Sequence, residues 1–520
     1  MRAGLSIILA AMLAGIMPAV AGAPAIQITS DPTSNMSCTA GVCTSTAANA
    51  VLNVNDLEDM LASSDVSLRT AAGAQNIEIQ VPLSWASSSR LTLDANYNVA
   101  VKAAVTVAGT AGLTIVTNDG STGGDLIFTP TGSVSFWDTT SSLIINGTSY
   151  TLVNDLTSLK KAVREDPRGA FALAQNYDAS RDPYGRIPVD TELAGTFEGL
   201  GNTITNFHLY LRRNSASCAG LFSAGASTSI FRDIRLSNVS VDSRIDLSGP
   251  GVGGLVGCTS GTIINASVQG GVGCRCQGSR DVGLLAGDAG TIIRSEARGN
   301  VGQNSERRRG ITRFGGLVGY ATNIVSSYAD VDVLAAVNPV AGGLAGEATT
   351  IQQSYATGTI RSYGTQDEML AGGLVGRLSG DGAQMTNSYA LESITFSAKS
   401  YTIGGLVGVG SNIQDSYVSD NICLYKNSQC VSISGNKQIG GFIGEDTGPG
   451  SLANDYWDLD TSGGISSSQG AGNISNDAGI YTISDQQLKK KVPPGFDRSI
   501  WTRKTDINNG YPFLRAVKPN

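Results

Sequence analysis

Histidine is nearly absent from this chain: His208 is the single one in 520 residues. That excludes an HExxH metalloprotease helix and a histidine-rich metal site. A Ser-His-Asp triad would have to be built on His208, and a lone histidine after an apolar strand reads as an ordinary surface or packing residue. Charge is sparse as well. Asp, Glu, Lys and Arg make up 15% of the chain and the net charge is −7. This balance argues against nucleic acid as a partner. Beyond residue 21 no apolar run is long enough to span a membrane. No phosphate-binding loop, dinucleotide fingerprint or GGxGxD calcium nonapeptide occurs, and no cofactor is expected. Nor does any pattern support the paired helices of an α-solenoid.

What is abundant is glycine, 65 residues without a collagen triplet. It recurs in blocks. GGLVG stands at 253–257 (Gly253, Gly254, Gly257), 315–319 (Gly315, Gly316, Gly319), 372–376 (Gly372, Gly373, Gly376) and 404–408 (Gly404, Gly405, Gly408). GGLAG stands at 342–346 (Gly342, Gly343, Gly346) and GGFIG at 440–444 (Gly440, Gly441, Gly444). A weakened copy, GLLAG, lies at 283–287, and a remnant at 219–223. Successive steps are 34, 30, 32, 27, 30, 32 and 36 residues. A period near thirty over eight copies predicts a solenoid.

Each block is followed by a short apolar–polar strand such as Ile324-Val325-Ser326-Ser327-Tyr328. Tyr328, Tyr355 and Tyr417 each lie 13 residues after the first glycine of their block. Tyr389 and Tyr456 drift to 17 and 16 and require insertions. Stacked strands lie about 4.8 Å apart, so a fixed offset would pile Ser and Tyr into ladders. Short runs rich in Val, Ile, Thr and Tyr favour strands. The expected fold is all-β: a right-handed parallel β-helix, or β-solenoid, with short capping helices. The handedness follows from the crossover rule.

Along the chain, residues 1–21 have the form of a signal peptide: basic Arg2, an apolar segment, and Ala19-Val20-Ala21 as cleavage site. The mature protein is therefore expected to be secreted or held at the outer cell surface, without an integral membrane segment. Residues 22–75 read as a polar, irregular cap with a helix at 55–63 opened by Asn55-Asp56-Leu57-Glu58. Short strands alternate with turns over 76–153. The junction 154–216 opens with a helix capped by Asp155. The array occupies 217–458, and a closing cap 459–520. In that cap Ser484-Asp485-Gln486-Gln487 opens a short helix, and Trp501, Tyr511, Phe513 and Leu514 are expected to close the last turn.

Eight cysteines suit an oxidising compartment. Cys38 with Cys43, and Cys423 with Cys430, would close small loops. Cys274 and Cys276 are too close for an easy mutual bond, so each is expected to seek Cys218 or Cys258. The rival metal reading lacks paired CxxC spacing.

The string IEIQVPLSWASSSRLTLDANYNVAVKAAVTV, from residue 77, resembles the filamentous-haemagglutinin-like exoproteins of Gram-negative bacteria over about 80 residues. Across about 160–514, the entry LAGTFEGLGNTITNFHL, the glycine blocks, NDYWDLDTSG and NNGYPFL together resemble the GLUG-motif family. That resemblance implies a repeat scaffold of the kind found in surface and secreted bacterial proteins. These include adhesin-like proteins and the non-catalytic region of some immunoglobulin-A proteases.

Carboxylates grouped on one face would be needed for a polysaccharide-degrading enzyme on this fold. Asp330 and Asp332 share one side of a strand, and Asp455, Asp458 and Asp460 form a second group. Both are expected to be solvated strand or turn residues. Arg307, Arg308 and Arg309 form the one dense basic spot and a candidate ligand contact. The reading is a secreted or surface adhesin-like protein. It would bind or space extracellular partners, a glycan or a host or cell-surface protein, without catalysis. A structural stalk is a third reading.

Overall fold

The computed structural model describes residues 23–519 except 121–122, 183–184, 212–217, 244–250, 275–279, 303–311, 336–338, 363–367, 427–428, 432, 434–435 and 437. The chain divides into two compact units, one of residues up to 177 with 195–204 and 232–235, the other of the remainder. Each is a stack of parallel β-coils, a β-solenoid.

In the first unit, Ala25–Thr29 pairs in parallel with both Ala50–Asn53 and Asn76–Ile79. The sheet continues through Val99–Val101 to Leu126–Phe128. A second parallel sheet runs Val42–Ser45, Val66–Arg69, Arg90–Asp94, Gly112–Val116, Ser142–Ile145. A third joins Leu83–Trp85, Ala104–Val107 and Ser133–Phe136. The region 22–75 is therefore not an irregular leader. Alternation in Ala25-Ile26-Gln27-Ile28 places Ile26 and Ile28 in the interior, and the segment forms coils of its own. The helix there is Val54–Leu61, and its cap is Asn53 rather than Asn55, because the Asn53 side chain accepts from Asn55 N at 2.8 Å. The helix Leu156–Glu165 starts at Asp155 with a reciprocal cap and buries Leu156, Leu159 and Val163.

In the second unit the glycine blocks lie over one another. Gly283, Gly315, Gly342, Gly372, Gly404 and Gly440 pair in register through one parallel sheet. The need for glycine is steric. A Cβ on Gly315 would meet the Val318 carbonyl oxygen at 1.9 Å, and one on Gly316 the Gly343 oxygen of the next coil at 2.1 Å. The Leu that follows, as in Leu317, Leu344, Leu374 and Leu406, is fully buried.

Each coil then runs through a second sheet, exemplified by Val318–Val325, and turns into a third, exemplified by Tyr328–Leu334. The corner between them is a single left-handed residue: Asn265, Arg294, Ser326, Gln353, Asn387, Asp415 and Asn454 have φ of 47° to 56°. A buried serine column follows it. The backbone N–H groups of Ala266, Ser295, Ser327, Ser354 and Ser388 each donate to the serine Oγ of the next coil, at 3.1 to 3.3 Å. Each Oγ in turn donates to the carbonyl two residues back, at 2.9 to 3.0 Å. The bent corner has no sheet partner for these N–H groups, and the hydroxyl supplies one.

Next comes the tyrosine column. Tyr328, Tyr355, Tyr389, Tyr417 and Tyr456 are register partners. The first four stack with ring centroids 4.8, 4.8 and 5.1 Å apart. The drift of Tyr389 is absorbed between Val375–Leu378 and Gln384–Thr386, which pair with one continuous strand, Ala345–Gln352.

The closing segment does not close the last turn. It folds back along the tyrosine column, because that outward apolar stripe has to be covered. Tyr417 Oη donates to the Pro512 carbonyl at 2.6 Å, Tyr456 Oη to that of Pro494 at 3.0 Å, and Trp501 Nε1 to Asn387 Oδ1 at 3.0 Å. Trp501 packs against Tyr389, Tyr417 and Phe496, and Phe513 and Leu514 join the same cluster. Tyr511 meets Ser419 and Asp485 at its margin.

Candidate binding groove

The third sheet of the second unit carries a depression on its outer face. Its floor is made by glycines at one register position: Gly270 and Gly299 pair directly, and Gly358 lies two coils on, with Val331 between. Their φ values are 149°, 136° and 129°, and Cβ atoms there would lie 2.1, 1.9 and 2.4 Å from a carbonyl oxygen of the preceding coil. Over this position lies a groove of about 890 Å³. Polar side chains rim it: Asn238, Gln269, Arg298, Asn300, Asp330 and Asp332. A second hollow of about 380 Å³ shares Ser240, Gly271, Asn300 and Asp332 with it.

The two aspartates are held in place and exposed. Asp330 Oδ1 accepts from Thr357 Oγ1 at 3.1 Å and Asp332 Oδ1 from Thr359 Oγ1 at 2.6 Å. At the groove edge Arg298 lies over the Tyr328 ring, 5.5 Å from its centroid, and 3.6 Å from Glu296. Tyr328 Oη donates to Glu296. Burial, then that carboxylate, raises the Tyr328 hydroxyl above its ordinary value. His208 is exposed and pairs in register with Ser240, so it stands one strand beyond the groove rim. It and Asp332 are separated by several strand spacings of about 4.8 Å each, too far to share one reaction centre.

Other carboxylates turn inward. Asp455 and Asp458 are buried, not solvated. Asp455 ends the serine column: its Oδ1 accepts from Ser416 N at 3.0 Å and its Oδ2 from Ala453 N at 3.2 Å. Burial raises it well above the usual carboxylate range. Asp458 accepts from Ser419 Oγ at 2.8 Å, and Asp460 Oδ2 from Asp485 N at 3.1 Å, where it holds the start of the helix Asp485–Leu488. Glu392 and Asp420 lie inside the coils and burial raises both strongly. Asp477 is pushed up to about 6, by burial and then by Asp446 facing it.

The aromatic column offers no sugar-stacking face, since Tyr328, Tyr355, Tyr389 and Tyr417 are all buried. Cys38 bonds Cys43, and Cys423 bonds Cys430. Cys218 bonds Cys258, which corrects the expectation that each would take Cys274 or Cys276: Cys258 lies on the strand that pairs with Phe222–Gly225, and Cys218 stands just ahead of that strand. Cys274 is disulfide-bonded and Cys276 lies outside the described residues. So do Arg307, Arg308 and Arg309. Among the described residues no helix is long and apolar enough to cross a membrane. The groove was not read from the sequence, although Gly270, Gly299 and Gly358 each fall 3 residues after the strand starts Ser267, Glu296 and Tyr355.

No family model matches the chain, and no curated protein matches it. Among solved structures it is similar to a candidate immunoglobulin A1 protease from Bacteroides ovatus, at 17% identity over 71% of this chain and 93% of that one, with a TM-score of 0.38.

Proposed function

We propose that this chain is an adhesin-like β-solenoid of the GLUG type, exported by its leading segment and acting outside the cell as a binding scaffold. Its partner is an extracellular glycan, taken up along the groove. The observation that carries this reading is the groove itself: a bare glycine floor rimmed by amide and carboxylate side chains. Sugars present dense hydroxyl donors and acceptors, and such a rim pairs with them along an extended ligand. The test is a glycan-array and cell-surface binding screen of the mature chain. Replacing both Asp330 and Asp332 by Asn should lower binding at least about tenfold, the loss of about one well-made polar contact. Unchanged binding by the double variant would place the site elsewhere.

One observation favours a second reading. Asp330 and Asp332 are two positions apart on one extended strand, a separation of about 6.7 Å at the backbone. Inverting glycosidases hold their two carboxyl groups about 6.5–9.5 Å apart. Incubation with acidic polysaccharides separates the readings, since new reducing ends would favour hydrolysis over binding alone.

A further inference from the structure

A second place in the array has the chemistry of a ligand site, away from the groove. Ile443–Asp446 is the last strand of its sheet in sequence order, and Asp446 leaves it beside the segment 463–480. Asn473 locks the two together: its Oδ1 accepts from Asp446 N and its Nδ2 donates to Asp446 O, both at 2.9 Å. Asp446 Oδ1 accepts from Gly448 N at 2.9 Å. Its other oxygen, Oδ2, is buried without a hydrogen-bond partner, and so is Asp477 Oδ2. The residues are only 3% and 8% exposed, and they face one another.

Asp477 lines a pocket of about 300 Å³ with Ser467, Ser468, Asn476, Trp457 and Tyr481. Asn476 is held in a left-handed conformation and its N–H donates to the Ser468 carbonyl at 2.7 Å, which fixes the loop around the pocket. No Lys or Arg lines the pocket. Two buried carboxyl groups that meet each other repel unless a proton or a cation stands between them. The pocket lining supplies oxygen donors: the Asp477 carboxylate, the Ser467, Ser468 and Tyr481 hydroxyls and the Asn476 side-chain amide. That is the donor set of a hard divalent cation and not of zinc or copper.

We propose that Asp446 and Asp477 form a Ca²⁺ site, completed by oxygens of the pocket that Asp477 lines. The ion ties the segment 463–480 to the strand Ile443–Asp446. Sites of this kind in extracellular modules bind with dissociation constants of about 0.1–1 mM.

The experiment is thermal unfolding of the full mature chain with EGTA and with CaCl₂ titrated to about 5 mM, a range that brackets such affinities. Calorimetric titration with Ca²⁺ runs in parallel, with Mg²⁺ as a second arm. A saturable rise in Tm with Ca²⁺ is expected, with a smaller response to Mg²⁺. Asp477→Asn keeps the shape of the side chain and removes its charge. It should fold in EGTA and lower Ca²⁺ affinity at least about tenfold, and Asp446→Asn should do the same. An unchanged Tm in wild type across the titration would overturn the proposal, leaving a carboxyl pair that shares a proton. An equal Ca²⁺ response in Asp477→Asn would also overturn it. Glycan binding at the groove is read separately, so failure of either proposal is visible without the other.

Discussion

The first unit and the repeat array stack parallel coils in different ways. In the first unit the interior is a set of aliphatic ladders. Ile26, Ile77, Val99 and Leu126 form one, and Leu52, Ile28, Ile79, Val101 and Phe128 another. Its corners are closed by whichever polar group fits: Asn76 Oδ1 accepts from Asn98 N at 3.1 Å, and Asn98 Oδ1 from Asp125 N at 2.8 Å. The array repeats one solution, with serine at the corner of successive coils from Ser295 to Ser416 and glycine at each bend. The aliphatic ladder needs only apolar residues in alternation, so identity can vary. The serine column needs an acceptor oxygen at one atom position, a hydroxyl from Ser295 to Ser416 and the Asp455 carboxylate after them, so the choice of residue is narrow. Buried acids differ too. Glu198 and Asp233 lie 3.2 and 2.7 Å from Arg232 Nε, and in the array Arg313 pairs with the buried Asp281 in the same way, whereas Glu392 has no partner for either carboxyl oxygen.

The largest effect is expected where the array relies on a contact the first unit does not have. Trp501→Ala removes a fully buried indole from Tyr389, Tyr417 and Phe496, and leaves Asn387 Oδ1 without its donor. It should cost about 3–5 kcal/mol in urea unfolding followed by fluorescence. A cost below about 1 kcal/mol would mean that the tyrosine column is stable without its cover.

A smaller pair of substitutions tests the contrast directly. Ser354→Ala strips the Ser327 N–H of its acceptor in a dry corner and should cost about 1–3 kcal/mol. Ile79→Val, in a ladder of the first unit, should cost about 0.5–1.5 kcal/mol. Equal costs measured by chemical denaturation would show that corner hydroxyls and ladder methyls matter alike, and the contrast would fail.

Much of this was legible from spacing. The glycine blocks and the offset from Gly315 to Tyr328 announce stacked coils, because register in a solenoid is a sequence period. Tyr389 showed where an insertion had to be. The fold-back of the closing segment was not legible, since Tyr417 meets Pro512 across 95 residues and no local pattern encodes that meeting. Which face the tyrosines occupy depends on that cover. The groove lies over aligned glycines, and isolated glycines in a chain this rich in them carry little signal until they are aligned. Asp455 looked like a solvated turn residue because its role, an acceptor for Ser416 N, exists only in the folded stack. Glu392 could have been placed: alternation with Ile394 and Phe396 puts it on the interior side.

That residue gives the smallest and most diagnostic test. Glu392 is raised well above its ordinary value of 4.5, first by burial and then by Asp420, Asp330 and Asp332. Below about pH 4.5 both folded and unfolded chains hold the proton, and the stability is fully present. Above it the unfolded chain releases the proton while the folded one retains it, so stability declines until the pH reaches the folded value. Each group can contribute at most about 1.4 kcal/mol per pH unit to that slope. Glu392→Met fills the same interior space without an ionisable group. It should raise stability at pH 8 by at least about 1 kcal/mol more than at pH 4.5, and flatten the profile between them. Some slope persists, because Asp420 is raised for the same reason. In the first unit Arg232→Met should do the opposite and destabilise near neutral pH, since Glu198 and Asp233 would lose the cation that offsets their charge. If Glu392→Met lowers stability at pH 8, the buried carboxyl is a structural group held by partners, as Glu198 and Asp281 are.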